Sequence, residues 1–452
     1  MTALLAGCGS DDPAGPGGTA SGSGAAGSGG STTTTTGSGA GGGGAAGAGG
    51  SGGGASALGC APLPPPAGAT VMVTPDQAVE LPSIVSSAAA DTTIVLAAGT
   101  YDLPATLQLA TPGVTLRSQS DDADSVILDA GYAVDEAIAI SASNVTIAHV
   151  TVTRAVNHPI HVYPPGPGID VVGTRIYGVS LIDGGEQFLK VNPVSGQDGW
   201  IDEGRVECSL FRMTAAGRPH VESCCGGCYT GGIDVHAGWK WVVRQNRFEG
   251  IHCDASGLAE HAIHFWKGSR DTLVENNTIV DCARGIGFGL GGGAGERVYA
   301  DAPYGGAMLA HYDGVIRNNV MWADTPEFDT GIELDETLRP VAIHNTVIHG
   351  PNATGFFSSI DSRFAGTETV LANNLTDKIT ERDGATADKT SNLEGTALDL
   401  FVDAAGVDFH LTAGAAAAVD QGAVVEGAGI DIDGETHDLG AGPDIGADER
   451  AP

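Results

Sequence analysis

The sequence predicts an all-β chain, a solenoid in which short parallel strands stack winding upon winding. Three observations carry this expectation. Between Leu258 and Leu290, Ile263 and Phe265 alternate with His264 and Trp266, and Ile286 and Phe288 alternate with Gly287 and Gly289. A period of two marks a strand with one apolar face and one outward face. A second short strand at Leu273 and Val274 lies between them and runs into Asn276-Asn277 and Ile279. The same two-strand unit then recurs along the chain, the mark of a repeat that stacks on copies of itself.

The first strand returns as Gly232-Ile-Asp-Val-His236, Gly331-Ile-Glu-Leu-Asp335 and Gly355-Phe-Phe-Ser-Ser359, and more loosely as Ile160-His-Val-Tyr163 and Leu189-Lys-Val-Asn192. The second returns as Val242-Val-Arg-Gln-Asn246, Val315-Ile-Arg-Asn-Asn319, Val341-Ala-Ile-His-Asn345 and Val370-Leu-Ala-Asn-Asn374. Each unit closes on an Asn, which tolerates left-handed backbone and bonds locally, as a sharp bend between strands requires. Stacked at one position, these side chains are expected to bond to each other along the solenoid. On these motifs, residues 70–385 resemble the right-handed parallel β-helix of the pectin-lyase-like family. The resemblance implies architecture and leaves activity open, because lyases, hydrolases, adhesins and spike proteins share that scaffold.

Taken in order, the chain opens on Leu4-Leu-Ala-Gly-Cys8, which resembles the end of a bacterial lipoprotein signal peptide. The resemblance makes 1–8 a signal remnant and Cys8 the lipidated residue. Residues 9–60 are almost wholly Gly, Ser, Ala and Thr, with too few apolar groups to offset the entropy of ordering. About fifty residues of such a tether span roughly 40 Å. Apolar residues at helical spacing from Pro75 to Ala90 predict a short N-terminal helical cap over the open end of the solenoid, where bare strand edges would otherwise pair with other chains. The β-helix is expected over 61–385, with long insertions at 193–204, 212–231 and 290–312; insertions in repeat proteins rim the binding face. Residues 386–452 resemble the closing segment of secreted β-helix proteins. Within it Asp431-Ile-Asp433-Gly looks like part of a calcium loop, but it lacks the later Glu of an EF-hand and is read as a structural turn.

Twenty-one Lys and Arg stand against 55 Asp and Glu among 452 residues, a formal charge of −34. Such a surface repels nucleic acid and anionic membranes, so no nucleic-acid partner and no membrane contact beyond the lipid are expected. It also repels polyanionic glycans unless a basic patch or a bound cation offsets the field locally. Six of the eight Cys fall between 208 and 282: Cys208, Cys224, Cys225, Cys228, Cys253 and Cys282. An exported chain favours disulfides over thiolate–metal sites. Cys253 and Cys282, which follow Asn246 and Asn277 in adjacent windings, are the expected pair.

Aligned first strands give two columns of outward residues: His161, Lys190, Asp234, His264, Gly287 and Glu333, then Tyr163, Asn192, His236, Trp266, Gly289 and Asp335. At ~4.8 Å per winding, neighbours in a column touch. Lys190, Asp234, His236 and His264 are the candidate catalytic residues. His161, Tyr163, Trp266, Arg284, Gly287, Gly289, Glu333 and Asp335 are the candidate substrate contacts: Trp266 stacks on a sugar and the two glycines leave a flat floor. Asp234 is expected to raise the pKa of its cationic neighbours. His344, His349 and His410 lie outside the columns and read as surface or turn residues. Asp234 and Glu333, three rungs or roughly 14 Å apart, are too far apart for a hydrolytic carboxyl pair. The columns therefore lean towards β-elimination of a uronate polysaccharide. Lys190 or His264 would be the base, and His236, Arg284 or a bound Ca²⁺ would neutralise the substrate carboxylate. Asp234, His236 and His264 holding a metal is a further reading, and a non-catalytic surface lipoprotein that binds glycan or a protein is the alternative. A monomer is expected.

Overall fold

The computed structural model describes residues 60–193, 198–223, 227–255, 257–291, 296–299, 301 and 308–451. Cys8, the 9–59 tether, Cys224 and Cys225 lie outside them. Three long sheets run the length of the β-helix, two of ten strands and one of fourteen, and every pairing within them is parallel. Each winding visits the sheets in turn: Val242–Arg244, then Arg247–Glu249, then His261–Trp266. The chain is a right-handed parallel β-helix. Ile233, Val235, Ile263, Phe265, Ile286, Phe288, Ile332 and Leu334 all point inward and are fully buried in one continuous core, as the alternation predicts.

The bend between the first two strands divides its work between two neighbouring residues. Gln245, Asn276, Asn318, His344 and Asn373 take the left-handed conformation, with φ from 51° to 58°. The next residue turns inward and builds a ladder. Asn246 Nδ2 donates to Asn277 Oδ1 at 3.0 Å, Asn277 to Asn319 at 2.9 Å, Asn319 to Asn345 at 3.0 Å, Asn345 to Asn374 at 3.0 Å and Asn374 to Asn392 at 2.9 Å. Each Nδ2 also reaches a carbonyl of the preceding winding, for example Asn319 to Val274. From Asn277 on, each Oδ1 accepts a second bond from the preceding Asn's backbone N–H, as Asn319 Oδ1 does from Asn277, while Asn246 Oδ1 accepts from Ser209 N–H. His344 belongs to the turn column, and it is fully buried rather than at the surface.

The N-terminal cap is one helix, Leu81–Ser86, whose Leu81 and Val85 close the core next to Leu107. The closing segment does more than cover the far end. Phe401, Phe409, Leu411, Ala415, Ala418, Ile445 and Ala447 pack on Val320, Trp322, Ile348 and Leu375, against the outer face of a sheet. Within it the Asp431 carboxylate accepts backbone N–H bonds from Asp433, Glu435 and Glu449, the work of a turn.

Two expectations fail. Cys253 is bonded to Cys228, while Cys282 is a free, buried thiol; among the described residues a second disulfide joins Cys60 to Cys208. The ladder places Asn277 opposite Asn246, so Cys282 falls opposite Ile251 and faces the core, two residues short of Cys253. The Gly355–Ser359 motif is also out of register. The paired strand is Ser358–Arg363, with Asp361 opposite Glu333.

Because the ladder satisfies buried amides on both sides of each rung, removing an interior member strands its neighbours. Asn319→Ala should lower stability by about 2–4 kcal/mol, and Asn392→Ala, at the half-exposed end, by about 1 kcal/mol. Urea unfolding measures both; equal losses would mean the ladder is not continuous.

Candidate functional site

The outward columns form on one ten-stranded sheet. His161, Lys190, Asp234, His264, Gly287 and Glu333 stand opposite one another in that order, and His236 stands opposite Trp266. The columns continue beyond the expected set: Asp361 follows Glu333, and Arg363 follows Asp335.

Asp234 is the centre of one end of this face. Lys190 Nζ donates to its Oδ2 at 2.5 Å and Trp266 Nε1 to its Oδ1 at 2.8 Å, and His236 Nε2 lies 3.2 Å from Oδ2. Burial would push this carboxyl up, but the Lys190 ammonium and His236 hold it well below the usual carboxylate range. The open groove expected here is not open: Lys190, Asp234, His236, His264 and Trp266 are each no more than 7% exposed. Trp266 stacks on His264, with ring centroids 5.4 Å apart, and meets His236 edge-on, so its faces are occupied rather than offered to a sugar. His236 is pushed down to about 4, not up, because burial and the Lys190 charge outweigh the attraction of Asp234. Both His264 nitrogens look inward. Nε2 lies 3.0 Å from the Gly289 carbonyl, which can only accept, so Nε2 carries the proton; Nδ1 lies 3.7 Å from Asp234. An ammonium at 2.5 Å already neutralises Asp234, which makes the Asp234–His236–His264 set a poor cation site.

The other end is centred on His261, a residue that alternation assigns to the core. The strand turns a corner here. Ala262 and Ile263 both face inward, and the inward position of Ala262 recurs as Gly232, Gly285 and Gly331, where a Cβ would strike Phe248, Met321 and Val347. That column of small residues ahead of each Ile was the signal in the sequence. His261 consequently lies on the outer face, 4.5 Å from His264 by ring centroids. Its Nε2 is 2.9 Å from Glu333 Oε2, and its buried Nδ1 has no hydrogen-bond partner. Arg284 binds Glu333 at 3.4 Å and Glu260 at 3.1 Å. Burial, Arg284 and His264 push His261 down to about 4. Burial would raise Glu333, but His261 and Arg284 carry it far below its usual value.

Neither glycine is a ligand floor. A Cβ on Gly287 would sit 2.7–2.8 Å from the His261 ring, so its bareness seats that imidazole. Gly289 has φ +84° and lies so close to the Asp335 carbonyl that no Cβ fits. His161 and Tyr163 form a half-buried rim at the Asp234 end, bonded to Glu136, Asn192 and Gln108. Past Glu333, the donor atoms of Glu333, Asp335 and Asp361 lie within 4.8 Å of one another, and Asp335 Oδ1 has no partner. Burial and the charges of Glu333 and Asp361 push Asp335 up to about 8. Arg382 clamps Asp361 with contacts of 2.7–3.1 Å.

No family model matches this sequence, and no curated protein matches it. Among solved structures, pectate lyase Pel9A superposes with a TM-score of 0.52 at 16% identity, over 85% of this chain and 96% of that one. A rhamnogalacturonan lyase gives 0.49 at 11% identity, over 74% of this chain and 91% of that one. An alginate lyase from Paenibacillus sp. gives 0.45 at 13%, over 72% and 99%. At such identities the likeness is one of fold.

Removing one partner of a buried ion pair leaves the other charge uncompensated. Asp234→Ala should therefore cost about 3–5 kcal/mol, and most of that should return when Lys190→Met is added. Urea unfolding of the two variants tests this; a double variant no more stable than the single one would contradict the pairing.

A second expectation concerns pH. In the unfolded chain an imidazole binds its proton near 6.5, whereas folded His236, His261 and His437 do so near 4 and His158, His311 and His344 near 3. Between those values the unfolded chain binds more protons, so stability falls as pH drops from 6.5 to 4. Asp335, Asp448 and Glu449, raised to about 8, 6 and 7, have the opposite sign and lose their contribution as pH rises. The thermal midpoint should peak near pH 6.5, with the steeper fall on the acid side. A midpoint flat between pH 4 and 6.5 would show these imidazoles to be solvated.

Proposed function

We propose that this β-helix acts on an acidic polysaccharide by β-elimination, and that the His261–Glu333–Arg284 group is its reacting centre. The carrying observation is His261. One ring nitrogen is fixed by an ionised carboxylate, the other has no partner, and the ring is neutral at neutral pH. A carboxylate that holds an imidazole in one tautomer and steadies its protonated form is the arrangement a general base needs. Lys190 and His264, the bases expected from the columns, are less suited. Lys190 is held at 2.5 Å by Asp234, and both nitrogens of His264 face internal partners.

In this reading the substrate approaches over the half-buried rim of Glu260, Arg284 and Glu333, and its carboxylate replaces Glu260 on the Arg284 guanidinium. His261 is only 1% exposed, so the departure of Glu260 has to uncover it, and its Nδ1 then takes the proton α to that carboxylate. The electron pair left on carbon becomes the new double bond, the bond from the neighbouring carbon to the glycosidic oxygen breaks, and that oxygen takes the proton from the imidazolium. Of Glu333, Asp335 and Asp361 only Asp335 has an unpartnered oxygen, because Arg284 and Arg382 already hold the other two. A Ca²⁺ there would have to displace those guanidinium groups, and it would supply a second positive charge against the substrate carboxylate. A local cation matters here, because the net charge of −34 repels an anionic chain everywhere else.

The likeness in fold to a pectate lyase agrees with this substrate class. The two disulfides suit an oxidising compartment, and among the described residues no helix is long and apolar enough to cross a membrane. With lipid on Cys8 and a 9–60 tether, the domain would work at the outer surface of a bacterial cell, as a monomer.

The test is a panel of uronic-acid polysaccharides followed by the ultraviolet absorbance of unsaturated products. His261→Gln should reduce the rate about 10²–10⁴-fold, with binding retained. Glycan binding without new absorbance on any substrate would replace elimination with the non-catalytic binder.

A further inference from the structure

A second group of ligand-type side chains lies outside this centre, at the corner where the chain enters the same sheet. His252 and Asp254 belong to the 250–260 connection, between the strands Arg247–Glu249 and His261–Trp266. Glu327 belongs to the 324–329 connection two windings on, between Val320–Ala323 and Thr330–Asp335. One donor atom from each lies within 4.8 Å of the others. His252 Nδ1 is 3.3 Å from Asp254 Oδ1 and 3.8 Å from Glu327 Oε2.

Two further facts separate this group from a chance cluster of acids. The His252 side chain is only 9% exposed, yet its Nδ1 points at two carboxylates without a hydrogen bond to either. The segment that carries it is also fixed. Cys253 is bonded to Cys228, and the backbone N–H groups of Asp254 and Ala255 both donate to Glu222, at 2.7 and 2.8 Å. Arg218, 3.7 Å from Asp254, is the positive charge at hand, and it offsets only part of the two carboxylates.

We infer that His252, Asp254 and Glu327 form a binding site for a divalent transition-metal ion of the Zn²⁺ type. One imidazole with two carboxylates is a donor set for such an ion rather than for Ca²⁺, which takes oxygen ligands alone. Ligands about 2.0–2.2 Å from zinc stand about 3.3 Å apart in a tetrahedron. The 3.3 Å contact already has that spacing, and the 3.8 Å contact closes by a turn of the Glu327 side chain away from the Thr325 hydroxyl, which donates to the same oxygen. A cavity of about 440 Å³ adjoins the group on the side of His252, with Arg218 and Thr325 also in its wall, while Asp254 and Glu327 lie outside that wall. The two connections lead directly into the strands that carry His261 and Glu333. A metal shared between them would fix the spacing of those two windings.

The experiment is calorimetric titration of the chelator-stripped full chain with Zn²⁺ alone, repeated with Ca²⁺. One Zn²⁺ should bind with an affinity at least about tenfold greater than that of His252→Ala or Glu327→Gln, and Ca²⁺ should not compete for it. Asp254→Asn guards against misfolding, since that side chain is 60% exposed. It should weaken binding by the same order. Zn²⁺ held at the other carboxylate–histidine groups would persist in all three variants and so cancel in the comparison. Zn²⁺ affinity unchanged in Asp254→Asn, or equal in the parent and His252→Ala with both folded, overturns the site.

Discussion

Each winding must return to the register of the one before, and every feature of the outer face depends on that. The asparagine column enforces it. An amide at each bend donates to the next amide and to a carbonyl of the previous winding, so a slip of one residue would strand several buried polar groups together. Along 246–392 this fixes the vertical order of the windings independently of what the outer face carries. Charged residues can then be stacked on that face without being asked to hold the fold together.

The outer face uses that freedom at a cost. Lys190, Asp234, His236, His261, His264 and Glu333 are all largely removed from water, and taking charges out of water is unfavourable unless each finds a partner. The pairing is nearly complete around Asp234, whose oxygens take donors from Lys190 and Trp266 and have His236 Nε2 within 3.2 Å. It is incomplete around His261 and Asp335, where one nitrogen and one oxygen are left over. Unpaired buried polar atoms are costly, and these two lie between Arg284 and Arg382, while at the other end of the row the Gln187 amide is also unpartnered.

Much of this was legible in the sequence. Period-two alternation and the recurrent Asn give the fold, the inward residues and the order of both columns, because they are local patterns repeated at a fixed interval. What was not legible is whatever breaks the repeat. His261 escaped because two consecutive inward residues at the corner reverse the alternation ahead of it. Asp361 escaped because the Gly355 motif lies four residues out of register. The Cys253–Cys282 pairing failed because the connection after Phe248 carries two residues more than the one after Ile279 before its cysteine. Burial of the columns could not be read at all, since alternation tells which way a side chain points and not whether anything lies over it.

The net charge of −34 is an average that the site does not share. Arg284 and Arg382 stand within one or two rungs of Glu333, and Arg363 lies opposite Asp335. Exposed charges more than ~10 Å apart are largely screened at moderate salt, whereas half-buried ones at about 3 Å are not. An anionic glycan that comes within reach of these guanidinium groups therefore responds to them more strongly than to distant acidic residues. The guanidinium groups themselves are held by Glu260, Asp361 and Asp383. Any carboxylate that binds there must exchange with one already in place, and the charge of the site changes little as it does so. On the proposed function, selectivity would then rest on the shape and spacing of the incoming carboxylates rather than on their number, and a regular uronate chain would be distinguished from anions in general.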